Sequence, residues 1–215
     1  IFSVTVSVIV LLIGLGLIAG GGALLWSNTF LRDSEGYYST RTINIKRDSY
    51  GVTTYPAKIE FGPAWLCDWS QLVKVKLKAT SNTDSGIFIG VAEEGYLFNY
   101  LDGVAYDEIK EIDINRPFRT PKTHYREFPG GALNKPPGEE EFWAASTAGK
   151  GTRVLRWGIE EGRYSLVLMN QDGSRGIDID VKIGVKVPII GGIGIGLFIA
   201  GLVLVLFSFL LVFRN

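Results

Sequence analysis

The sequence predicts a mainly β protein: an antiparallel β-sandwich with one short helix, flanked by two transmembrane helices. Three observations predict it. Residues 1–31 and 187–213 carry no charged side chain. Between them lie at least eight short runs that alternate apolar and polar residues or string apolar residues together. Turn-forming Gly, Pro, Asn and Asp separate those runs.

The terminal segments come first. A helix rises ~1.5 Å per residue, so roughly 20 apolar residues cross a bilayer core. Both segments meet that length. The expected division is a first span over 1–26, an extracytoplasmic domain over 27–186, a second span over 187–213 and a cytoplasmic end at 214–215. Trp26 marks the outer interface of the first span. The apolar stretch there is too long for a signal-peptide core. Arg214 directly follows the second span, and the positive-inside rule then puts both termini in the cytoplasm. The chain begins at Ile1 rather than Met, so residues upstream are expected. The expected location is the cytoplasmic membrane of a prokaryote.

Neither span holds an ionisable residue, which argues against a transporter, proton relay or channel. Both carry small residues four apart: Gly16 and Gly20 in the first, Gly192, Gly196 and Ala200 in the second. Such spacing makes a groove for a second helix. The groove serves either an antiparallel hairpin of the two spans or the helices of another membrane protein. Other membrane proteins, a second copy of the chain and lipid are therefore the expected partners.

The strand signals follow in order. Residues 41–47 alternate polar and apolar. In 72–79, Val73, Val75 and Leu77 face one way and Lys74, Lys76 and Lys78 the other. That lysine row reads as a solvated strand face that discourages aggregation. Residues 86–92 are a continuous apolar run, and 93–101 has Leu97, Tyr100 and Leu101 at helical offsets. Strands are expected again at 108–114, 141–146, 152–157, 163–169 and 176–183. Short strands at this spacing predict an antiparallel sandwich.

The 22 basic and 22 acidic residues balance, which argues against nucleic acid as a partner. Cys67 is the only cysteine, so no intrachain disulfide forms. It sits among aromatics and reads as a small buried hydrophobe. His124 is the only histidine, which removes multi-histidine metal sites. No phosphate-binding loop, dinucleotide fingerprint or nucleophile elbow occurs. No catalytic residue, metal or cofactor is expected, and the chain is read as a non-enzyme.

Candidate sites remain. Arg32, Asp33, Glu35 and Tyr37 lie just past the first span and form either a docking rim or a structured linker. Tyr96, Tyr100 and Tyr106 offer an aromatic surface, the kind of platform that binds a glycan when its rings are exposed. Asp107, Glu108, Glu111 and Asp113 alternate on a strand and so face different sides. Asp172, Asp178 and Asp180 read as turn and strand-face residues, with a structural calcium site as the alternative.

Two resemblances add to this. Residues 150–157 with 161–173, ending Asn170-Gln-Asp-Gly173, resemble the closing hairpin of jelly-roll modules. Such modules include carbohydrate-binding domains and bacterial pre-peptidase C-terminal domains. This implies a jelly-roll-like sandwich. The chain as a whole resembles a group of uncharacterised two-span membrane proteins, mainly of actinobacteria. The matching blocks are Gly20-Gly-Gly-Ala-Leu-Leu-Trp26, Arg32-Asp-Ser-Glu-Gly-Tyr37, Phe88-Ile-Gly-Val91, Tyr100-Leu-Asp-Gly-Val-Ala-Tyr-Asp-Glu-Ile109, Phe142-Trp-Ala-Ala-Ser146 and Val167-Leu-Met-Asn-Gln-Asp-Gly-Ser174. Tyr106 stands where that group leads one to expect histidine. The resemblance implies an extracytoplasmic β-sandwich between two spans and brings no function with it. The functional expectation is an accessory or scaffold subunit of a membrane assembly, with a glycan or cell-wall binding module as the first alternative and an enzyme built on His124 and nearby carboxylates as the last.

Overall fold

The computed structural model describes residues 2–60, 73–113 and 122–213. Cys67 and Arg214 lie outside the described residues. The chain forms two compact units, one of residues 1–38 with 187–215 and one of residues 39–186.

The first unit is a helical hairpin. Helix α1 spans Phe2–Phe30 and runs four residues past Trp26. Its partner, the last helix of the chain, spans Ile189–Phe213. Both are long and apolar enough to cross a membrane, and most of each stays exposed. In water that much apolar surface would drive aggregation; in lipid it is matched.

The seam between the two helices uses small residues seven apart. Ser7, Gly14 and Gly21 on one helix face Ser208, Gly201 and Gly194 on the other, and all six are buried. A Cβ at Gly201 would stand 2.7 Å from the Gly14 carbonyl oxygen, and one at Gly21 would stand 2.6 Å from the Phe198 amide nitrogen. Backbone cannot yield there as a side chain can, so only glycine permits this approach. The glycines expected for a seam, Gly16, Gly20, Gly192 and Gly196, are not part of it. A Cβ at any of them meets nothing within 4 Å, and Ala200 is exposed. The reason is periodicity. Two helices that stay in contact over many turns meet every 3.5 residues, which favours a seven-residue repeat over a four-residue one.

The second unit is two β-sheets on one core. Its strands are β1 (Tyr38–Ser39, shared with the hairpin unit), β2 (Ile43–Arg47), β3 (Gly51–Thr54), β4 (Ala57–Ile59), β5 (Lys74–Ser81), β6 (Ile87–Glu93), β7 (Tyr106–Asp113), β8 (Lys122–Phe128), β9 (Ala145–Gly149), β10 (Thr152–Gly158), β11 (Gly162–Asn170) and β12 (Ile177–Lys186). The smaller sheet has five strands, with β5 between β12 and β10 and β2 also on β12. The larger has seven, in the order β8-β7-β3-β11-β6-β9, with β4 also on β11. Ile43, Ile45, Leu77, Ile177, Ile179 and Val181 from one sheet meet Val52, Ile87, Ile89, Val91 and Leu168 from the other.

The expected antiparallel order needs one correction. β3 and β7 pair in parallel, so the larger sheet is mixed. No tight turn joins them; β4, β5, β6 and a helix intervene, so no hairpin fixes their direction. A second correction concerns 141–146. The strand begins only at Ala145, and Phe142 and Trp143 lie outside it.

Those two rings belong to a second cluster on the outer face of the larger sheet. Helix α2 (Glu94–Tyr100) lies there with Leu97 and Leu101 inward against Phe88, Ala92, Val167 and Met169. The chain's last helix, Ile189–Phe213, is α3. The Trp143 ring lies 4.9 Å from that of Phe88 at a tilt of 56°, directly over Gly90, where a Cβ would come within 2.6 Å of it. Strand β6 is therefore covered on both faces, which explains its unbroken apolar run.

Candidate functional site

One concave feature of the β-unit lies beside α2. It is a slot of about 260 Å3 on the outer face of the larger sheet. Leu97 and Phe98 of α2, with Leu101 just past its end, form one wall. Tyr106 and Phe128 form the other, their rings stacked at 4.5 Å and nearly parallel because β7 and β8 place them directly opposite. Glu108 and Arg126 are the next outward pair in that register, and the Arg126 guanidinium lies 4.9 Å over the Phe128 ring. Tyr55 and Phe98 stand at the rim, more than half exposed.

Thr53 and Ser165 line the slot and are buried, at 4% and 2% exposure. They put two hydroxyl-bearing residues in an otherwise largely aromatic and aliphatic slot. Burial pushes the Tyr106 phenol above its ordinary pKa, with the Glu108 carboxylate adding to the effect.

The expected aromatic surface divides. Tyr106 enters the slot. Tyr100 is half-buried against Phe142 and Trp143, and its hydroxyl donates to the Lys135 carbonyl at 2.8 Å. Tyr96 is exposed and stacks on Phe142. The three rings do not form one platform. Phe98 and Phe128 read from sequence only as further aromatics near Tyr96, Tyr100 and Tyr106; Tyr55, Thr53 and Ser165 were not singled out, because only the pairing of β7 with β8 and the placing of α2 bring them together.

The turn after α1 is organised by Asp33. Its carboxylate accepts the amide hydrogens of Glu35 at 3.0 Å and Tyr37 at 2.8 Å. Gly36 completes the turn with a φ of 82° that other residues rarely adopt. Tyr37 is buried and Glu35 exposed. Arg32 donates to the Val187 carbonyl at 2.9 Å, joining the two chain segments that flank the helices of the hairpin. Its guanidinium also lies 4.9 Å over the Tyr38 ring.

The alternating carboxylates separate as their spacing dictates. Asp107 is buried and accepts from Arg47 at 2.7 Å, while Glu108 faces the slot. Arg47 also bridges to Glu127 and lies 4.7 Å over the Tyr125 ring, and these contacts hold its guanidinium firmly protonated. Asp178 accepts from Asn82 and Lys46, Asp180 from Asn44, and Asp172 from the Ser174 amide. Among the described residues no three His, Cys, Asp or Glu gather as metal ligands. His124 is exposed on edge strand β8, opposite Glu111.

Comparison with protein-family models finds no match, and comparison with curated proteins finds none either.

Proposed function

We propose that the chain is a non-enzymatic, membrane-anchored β-sandwich protein that serves as an accessory or scaffold subunit of a larger membrane assembly. One observation carries the reading. The hairpin consumes Gly14, Gly21, Gly194 and Gly201 in its own seam and keeps a second set, Gly16, Gly20, Gly192, Gly196 and Ala200, on exposed faces. Lipid-facing helix surface has no need of glycine, whereas close approach by another helix does. In this reading the sandwich is jelly-roll-like and stands outside a prokaryotic cytoplasmic membrane, with both termini inside. The test is mild detergent extraction from native membranes, then size-exclusion chromatography and mass spectrometry of the peak. A defined set of co-eluting membrane proteins, lost on Gly16→Leu with Gly192→Leu, is the expected result. A monomer at every concentration would refute it.

A second reading is favoured by the slot beside α2. Aromatic walls with two buried hydroxyls and a Glu108–Arg126 rim suit the apolar face and hydroxyl edge of a sugar ring. This makes the sandwich a glycan or cell-wall binding module. Retention on cell-wall polysaccharide, abolished by Phe98→Ala and Ser165→Val, is the expected outcome; equal retention of parent and variants rules the slot out.

A further inference from the structure

The exposed aromatic rings of the β-unit gather around one short helix. Among its described residues four large apolar side chains stand more than a third exposed: Tyr55, Tyr96, Phe98 and Val185. Three of the four are at α2. Tyr96 and Phe98 lie on it, 58% and 67% exposed, and Tyr55, 63% exposed, lines the same slot as Phe98. Apolar residues exposed one at a time are ordinary, whereas a cluster of them marks a contact surface.

The helix spreads these rings over two flanks. Successive residues turn ~100° about a helix axis, so Tyr96 and Phe98 point to opposite sides, with Leu97 buried between them. On one flank Tyr96 stacks on Phe142 at 6.1 Å. On the other, Phe98 and Tyr55 stand at the rim of the slot. A helix with its side chains is about 10–12 Å across. That is too wide for one small ligand to touch both flanks. About four residues of extended chain, rising ~3.3 Å each, would cross it.

Charge says what that chain carries. Residues 93–109 hold no Lys or Arg, and neither do residues 136–146. Glu93 and Glu94 stand at the start of α2 and Asp102 just past its end. Glu139, Glu140 and Glu141 immediately precede Phe142, the ring that packs on Tyr96 and Tyr100. Burial and then the Glu140 and Glu139 carboxylates hold the Tyr100 phenol above its ordinary pKa, so both carboxylates bear on this flank. Arg163, which pairs with Glu94, and Lys135, whose carbonyl accepts from Tyr100, answer two of the six. Glu108 and Arg126, opposite one another in register, add one charge of each sign at the slot. In a chain of balanced charge the surface around the exposed rings is therefore acidic. Aromatic faces beside carboxylates suit guanidinium groups, which stack on rings and bond to carboxylates at once.

We propose that the α2 surface docks an extended, arginine-bearing segment of a partner protein. The proposal rests on the accessory-subunit reading for the existence of that partner, and it adds where on the β-unit the partner lies and what chemistry it brings. Co-elution from native membranes tests that reading; a peptide titration tests this surface by itself.

The experiment uses the full chain in an uncharged detergent and a fluorescent hexaarginine peptide, with hexaglutamine as the neutral control. Fluorescence anisotropy should show saturable binding of hexaarginine at one per chain, weakening as salt is raised. Phe98→Ala and Tyr96→Ala, both at exposed positions, should each weaken it about tenfold. Glu139→Gln, Glu140→Gln and Glu141→Gln together should weaken it about tenfold as well. Asp84→Asn, before the far end of β6, should leave it unchanged. No saturable binding would overturn the proposal. So would a loss on Asp84→Asn as large as that of the triple variant, or full binding by both aromatic variants, since either makes the attraction one of charge alone. Phe98-dependent binding of cell-wall polysaccharide without affinity for hexaarginine would overturn it too, and would assign the surface to a glycan.

Discussion

The Ser208 hydroxyl donates a 2.8 Å hydrogen bond to the Ser7 carbonyl oxygen, joining residues 201 positions apart in sequence. Both serines are buried, and they extend the repeat set by Gly14–Gly201 and Gly21–Gly194. One polar contact at a helix carbonyl fixes the register, and the glycines set the distance. A hydrogen bond between helices in a membrane contributes only about 0.6 kcal/mol on average. The packing of the seam therefore carries most of the association.

Gly201 is the position where that packing tolerates least. A Cβ there meets the Gly14 carbonyl oxygen at 2.7 Å and the Ile18 amide nitrogen at 2.8 Å. Gly201→Ala should destabilise the hairpin by about 1–3 kcal/mol, the usual cost of overpacking. Gly196→Ala should leave it unchanged, because nothing lies within 4 Å. Thermal unfolding of both variants in mild detergent measures the contrast.

Arg47 and Asp107 make the one strongly buried ion pair among those described, the Asp107 side chain being 4% exposed. Arg47→Met leaves that carboxylate without its partner and should cost about 3 kcal/mol or more. Adding Asp107→Leu should restore much of the loss, since the pair itself contributes little beyond mutual neutralisation. A denaturant titration of the two variants decides it.

Asn170 ends β11 and holds the following turn by three donations, to the Ser174 carbonyl, the Ser174 hydroxyl and the Gly176 carbonyl. Asn170→Leu should cost about 1–3 kcal/mol through the acceptors left unpaired. Hydrogen exchange should rise first at Gln171–Gly176. No change in exchange there would mean the turn is held by Gly173 and Gly176 backbone geometry alone.

Acid should weaken the β-unit through Asp178. Hydrogen bonds from Asn82 and then Lys46 hold its carboxyl below the ordinary range. Asp172 is lowered too, first by the Ser174 hydroxyl. A depressed carboxyl adds stability that is complete above the unfolded value of about 3.9 and is lost as pH falls through the folded value. Melting temperature should drop below about pH 4, and Asp178→Asn should flatten that drop.

Much of the fold was legible because its signals are local. The strands at 41–47, 86–92, 152–157, 163–169 and 176–183 read from alternation or apolar runs, and each appears within a few residues of its expected bounds. The short β3 and β4 did not read, since three or four residues show no periodicity. Phe142 and Trp143 read as strand because aromatics favour strands, yet they cap the sheet instead.

The amino-acid sequence by itself determined the two long apolar helices and a mainly β domain between them. Both follow from hydrophobic pattern, which each residue and its near neighbours carry alone. The tertiary structure decided which glycines form the seam, that β3 and β7 run parallel, and that Thr53, Tyr106, Phe128 and Ser165 share a slot. It also decided that lysines from β5 and β12 stand opposite one another. These depend on pairing and register between distant segments, and no local pattern encodes a register.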